Sequence, residues 1–192
     1  MGNIPEWTSR LKQETGGHIL YFFQDEETYV QNAVSYIRSG IEQGDHVLFV
    51  ENDRILLSIR KKLSSLTEDQ ARKVHFMNNF DFYIREGNFH PDTLVSNFSE
   101  SVDFHLNQNS TIRTWGHVEW GDEACIIEDT IEFEQKVHEK ISANHLITVC
   151  AYHVNTMSDS LKVQLIQAHD YLMADDGTVS LEEEQIIRTD SY

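Results

Sequence analysis

The reading of this chain turns on residues 19–27, Ile19-Leu20-Tyr21-Phe22-Phe23-Gln24-Asp25-Glu26-Glu27. The first five are apolar or aromatic without a break, the pattern of a strand buried on both faces in a parallel sheet. The rest are polar and mostly acidic. Thr28 then opens a helix running to Gln43, with Tyr29, Ala33, Tyr36, Ile37 and Ile41 at helical spacing. Gly40 and Gly44 bracket its C-terminal end. In open α/β sheets the strand-to-helix turn at the carboxyl edge is where ligands bind. A phosphate-binding turn would be glycine-rich and close on Lys-Ser or Lys-Thr. This turn has no glycine and no lysine, so the layout of a nucleotide binder is present without its phosphate site.

Working outward, the same alternation repeats. Residues 46–50, 73–77, 111–120 and 146–152 read as further strands. Helical stripes cover 54–65, 92–107, 131–141 and 159–169. Strand and helix alternate with connections short enough for right-handed crossovers. The expectation is an α/β fold: three layers, with a mostly parallel central sheet flanked by helices. Asp176-Gly177 predicts a C-terminal hairpin pairing 171–173 with 179–181. Residues 1–17 read as a polar lead-in with Trp7 and Leu11 as anchors, 18–181 as the domain, and 182–192 as an acidic, mobile tail.

The 192 residues suit one domain. Lys+Arg number 15 against 32 Asp+Glu, a formal charge of −17. That balance disfavours nucleic acid and anionic membrane surfaces and permits basic protein partners. No apolar run approaches the about 18 residues of a membrane span. With no signal-peptide pattern at its start, the chain reads as cytoplasmic.

The strands end in Gln24, Asp25, Glu51, Asn52, Asn78, Asn79, Glu119, His153 and Asn155. In a parallel sheet these share the carboxyl edge, where a crevice would form. Arg113, Trp115, His117 and Glu119 alternate and so share one face. That makes Trp115 and His117 a pocket wall and Glu119 an acceptor, or else a partly solvated face with Arg113 as a structural tie. Cys150 and His153 stand an odd number apart and point to opposite faces. The ten histidines are scattered, and no four-ligand spacing is visible, so neither metal nor cofactor is expected. No nucleophile elbow occurs and no catalytic residue is expected, so the chain does not read as an enzyme.

Several segments in order carry a resemblance. They are His18 before the aromatic strand; Ser39-Gly40-Ile41-Glu42-Gln43-Gly44-Asp45; Tyr83 through Phe89; Arg113-Thr114-Trp115-Gly116-His117-Val118-Glu119-Trp120; Glu134; Cys150-Ala151-Tyr152; and His169. Together they span roughly residues 15–175 and resemble the MEDS domain (methanogen/methylotroph, DcmR sensory domain), a family related in fold to RecA- and KaiC-like ATPases. The resemblance implies a non-catalytic sensory domain that binds a small organic ligand and signals through a regulatory protein such as a kinase or transcription regulator. A homodimer is compatible with it. It implies a ligand site drawn from His18, Tyr21, Glu51, Trp115, Glu119, Tyr152 and His153, with Arg113 and Glu134 structural and paired to each other. His18 conflicts with this crevice, because it precedes its strand. The chain departs from the family pattern at Asp45, where glutamate is expected, and at His153, where an acid is expected. Two other functions fit the residues: an acidic protein-interaction module without a ligand, and a degenerate RecA-like enzyme.

Overall fold

The computed structural model describes residues 3–83, 89–108, 110–119 and 127–181. Its helices are α1 (Ile4–Gln13), α2 (Glu26–Glu42), α3 (Asp53–Lys62), α4 (Glu68–Ala71), α5 (Asn79–Tyr83), α6 (Pro91–Leu106), α7 (Ile127–Asn144) and α8 (Asp159–Gln167). Its strands are β1 (Gly17–Phe23), β2 (His46–Glu51), β3 (Val74–Asn78), β4 (Ile112–His117), β5 (Ile147–His153), β6 (Tyr171–Met173) and β7 (Val179–Leu181).

The strands form one sheet in the order β3-β2-β4-β5-β1-β6-β7. All pairs are parallel except β6 with β7, which is the expected hairpin with Gly177 at a positive φ of 76°. The three-layer α/β architecture is therefore present. Strand β1 lies between β5 and β6, which explains why its apolar run is unbroken. Alternate residues along the sheet feed two cores. Ile19, Tyr21, Phe49, Trp115 and Val149 pack with α1, α2 and α3. Leu20, Leu48, Val50, Cys150 and Tyr152 pack with α5, α6, α7 and α8.

The first residues are more than a lead-in. Asn3 caps α1 by accepting from Glu6 N–H, Pro5 sits in the first turn, and Trp7 and Leu11 are fully buried one helical turn apart. Trp7 Nε1 donates to the Gly177 carbonyl at 3.0 Å, joining α1 to the final hairpin. The expected tail at 182–192, part of the Tyr83–Phe89 motif, and Trp120 lie outside the described residues.

Arg113 is buried, as a structural residue should be, but its partner is not Glu134. It donates to Asp45 through Nε at 2.9 Å and also through Nη2, and to Gln43 Oε1 at 2.8 Å. The physical reason is the alternation itself. Arg113 points to the α2 side of the sheet, whereas Glu134 on α7 covers the other side. Asp45 also accepts from Lys12 and Thr111, each at 2.5 Å. Burial pushes its carboxyl up, but Arg113, Lys12 and Thr111 outweigh this and hold it below the usual carboxylate range. Gly40 is required here, since a Cβ would come within 2.7 Å of Val47 and 3.0 Å of Arg113.

Candidate functional site

His18 is the second residue of β1, and its backbone N–H donates to Asp170 at 2.9 Å. Its side chain takes the α7 side of the sheet, where β5 presents Cys150 and Tyr152 and α7 presents Glu134. His169 follows α8. His18, Glu134, Cys150 and His169 are all buried, and one donor atom from each falls within 4.8 Å of every other. His18 Nε2 lies 3.2 Å from Glu134 Oε2 and 3.3 Å from Cys150 Sγ. His169 Nε2 lies 3.5 Å from the same Glu134 oxygen. The two imidazoles face each other with ring centres 3.8 Å apart, and His138 stands 5.6 Å from His18.

The tautomer of His169 follows from its neighbours. Nδ1 lies 2.7 Å from the Leu165 carbonyl, which can only accept, so Nδ1 carries the proton. Burial, reinforced by His18, lowers the His169 pKa to about 3. Burial and His138 likewise lower His18 to about 3. Tyr152 donates its hydroxyl to Glu134 Oε1. Among the described residues neither the other oxygen, Oε2, nor His169 Nε2 has a hydrogen-bond partner by geometry, although the Cys150 thiol interacts with the Glu134 carboxylate. Burial, and then the charge of Glu134, raises the Cys150 thiol well above its ordinary value.

This cluster adjoins a hollow of about 890 Å³ at the amino edge of the sheet. His169 and His138 form part of its wall, with Gln135, Ser142, Gln164, Gln167 and Asp170 around them. A second cavity, between the sheet and α5–α7, holds about 20 Å³, room for a water-sized probe and not for an organic molecule.

The opposite face carries a different polar network. Trp115 Nε1 donates to Tyr29 at 2.8 Å, Tyr29 donates to Glu51 Oε2 at 2.5 Å, and His117 Nδ1 donates to Glu51 Oε1 at 2.6 Å. The Asn52 N–H also donates to Oε1, at 2.8 Å. Tyr21 stacks on Tyr29 and donates to Asp175 at 2.8 Å.

The residues expected around one crevice are thus divided. Tyr21, Glu51 and Trp115 lie on the α2 side, and His153 meets Phe23 edge-on at 5.2 Å. His18 and Tyr152 lie on the α7 side. Glu119 stands beyond β4 at the carboxyl edge, accepting from Asn79 at 2.7 Å and from Asn52 at 3.3 Å. A single crevice holding all seven is ruled out by strand alternation. The conflict over His18 resolves in favour of the amino edge. Cys150 and His153 point to opposite faces, as their spacing predicts.

The histidines are less scattered than their spacing suggests. His18, His138 and His169 form one group; His46, His75 and His105 form another, with donor atoms within 4.8 Å of one another. In the second group burial lowers all three pKa values, His105 to about 4.

Comparison with known families places these elements. The model of the MEDS family, the MEthanogen/methylotroph, DcmR Sensory domain, matches residues 17–170. The chain belongs to the MEDS family. The match runs from the first residue of β1 to just past His169, so it takes in every member of the His18–Glu134–Cys150–His169 cluster. Among solved structures, this MEDS chain is similar to the flagellar accessory protein FlaH from Methanocaldococcus jannaschii, at 9% identity and a TM-score of 0.49, over 88% of this chain and 75% of that one. The comparison with curated proteins gives no match. Among the described residues, no helix of the MEDS chain is long and apolar enough to cross a membrane.

Proposed function

We propose that this chain is a non-catalytic sensory domain that takes a small organic ligand into the amino-edge hollow and signals through a regulatory protein. The observation that carries this reading is the hollow itself. It is large enough for a small organic molecule, is lined by amides, imidazoles, hydroxyls and two carboxylates, and abuts a buried polar cluster. Membership of a sensory-domain family supports the same role. The walls of the hollow come from the turn before β1, α7, α8, the start of β6 and Leu181 of β7, so an occupant can touch both helices and the hairpin. A ligand that favours one arrangement of those elements shifts the surface that a partner reads.

The test is native mass spectrometry of the purified protein, followed by a thermal-shift panel of small alcohols, amines and carboxylic acids. At least one compound is expected to raise the melting temperature. Gln164→Trp, which fills the hollow from its wall, is expected to abolish that shift while the protein stays folded. No shift with any compound, or a shift unaffected by Gln164→Trp, overturns the proposal.

A further inference from the structure

We infer that His18, Glu134, Cys150 and His169 form a binding centre for one divalent transition-metal ion of the zinc class. This goes beyond the organic-ligand reading, which requires no metal. Two nitrogens, one oxygen and one sulfur make a donor set that zinc accepts. Ligands at bond lengths of about 2.0–2.3 Å around a tetrahedral ion lie about 3.3–3.6 Å apart. Three of the six separations, 3.2, 3.3 and 3.5 Å, fall on or beside that span, and all six lie within 4.8 Å.

The surroundings support the inference independently. Metal-bound histidines commonly donate their second ring N–H to a carbonyl, and ligating carboxylates are themselves hydrogen-bonded. The His169 Nδ1–H donates to the Leu165 carbonyl, and Tyr152 holds Glu134 Oε1. Those contacts turn Nε2 and Oε2 toward each other at 3.5 Å, and among the described residues neither atom has a hydrogen-bond partner. Such a buried arrangement is unfavourable unless a positive centre lies between them. A single proton would answer one of these contacts; a cation answers all four donors. The Cys150 thiol would lose its proton to solvent as the sulfur–metal bond forms. His169 also lines the hollow, which gives the ion a path from solvent.

The test is spectroscopic and needs no organic ligand. Chelator-treated full-length protein is titrated with Co²⁺. The expected spectrum has a near-ultraviolet thiolate-to-cobalt charge-transfer band and visible bands of four-coordination, saturating at one ion with this signature per chain. Cys150→Ser is expected to lose the charge-transfer band. His105→Ala, in the separate histidine group, is expected to keep it. Wild-type protein giving no charge-transfer band overturns the inference, and so does a band that survives Cys150→Ser. Because the readout is made on the wild type, it stands even if Cys150→Ser fails to fold. Failure of the cobalt titration strikes this inference alone, and failure of the organic panel strikes the sensory reading alone.

Discussion

Two buried glutamates on opposite faces of one sheet are treated in opposite ways. Glu51 meets donors at both oxygens: Tyr29, His117 and the Asn52 N–H. Glu134 Oε1 accepts from Tyr152, whereas Oε2 has no hydrogen-bond partner by geometry among the described residues and faces two imidazoles and a thiol. Both residues are fully buried, so burial alone separates nothing. The difference lies in what the fold supplies around each carboxylate. On the α2 side it completes a hydrogen-bonded network, which is how a structural polar group is kept. On the α7 side it leaves one oxygen among two imidazoles and a thiol that can all serve as metal ligands, which fits the centre inferred above.

The strongest challenge to this contrast targets the α2 side. Arg113→Ala removes the buried one of two cations beside Asp45, leaving Lys12, and is expected to cost about 3–5 kcal/mol, because a buried carboxylate loses its main partner. The urea midpoint should fall accordingly, and an unchanged midpoint would show that the network is ornamental. The same pair fixes an acid dependence. Asp45 titrates lower in the folded chain than in the unfolded one, so its contribution is full above about pH 4 and is lost as the pH falls further. Asp45→Asn should flatten the stability curve below that point and leave its shape near neutrality alone.

Next in size is one substitution made twice. Glu51→Gln places an amide NH₂ among donors and should cost about 1–3 kcal/mol. Glu134→Gln in chelator-treated protein should change stability by less than about 1 kcal/mol, in either direction, because the new N–H finds the His169 lone pair while the carbonyl still accepts from Tyr152. Equal losses at the two positions, measured by urea unfolding, would erase the contrast.

The smallest expected effect is none at all. Calorimetric titration with Mg-ATP should give no binding heat. Asp25 already occupies the Thr28 N–H at the start of α2, where a phosphate would sit, and Glu26 and Glu27 pair with Arg54 and Lys62. Micromolar binding would revive an enzymatic reading.

Most of the fold could be read from residue order. The runs at 19–23, 46–50 and 146–152 are apolar on both faces and could only be internal strands. The Asp176-Gly177 turn announced its hairpin. Helix α1 was hidden because its short N-terminal stretch is mostly polar, although Asn3, Pro5 and the Trp7–Leu11 spacing were its signals. The polar cluster was less legible. Its four residues come from β1, α7, β5 and the end of α8, and no spacing along the chain joins them. The rule that ligands gather at carboxyl edges points to Glu119 and His153, whereas His18 lies at the other end of its strand. The partner of Arg113 was closer to hand. In the β2–β4 register Val47 lies opposite Arg113, which puts Asp45 two residues back along the neighbouring strand.

The bond from the Trp7 indole to the Gly177 carbonyl sets an order in time. The two residues are 170 positions apart, so α1 leaves the ribosome long before its acceptor is made. A nascent chain halted before β6 has no way to complete that contact, and β1 lacks one of its two neighbours at the same moment. Helix α1 can pack on α2 early, but its contact with the hairpin waits for residue 177, and a chain truncated before residue 171 should carry Trp7 in a looser, wetter setting than the intact chain does.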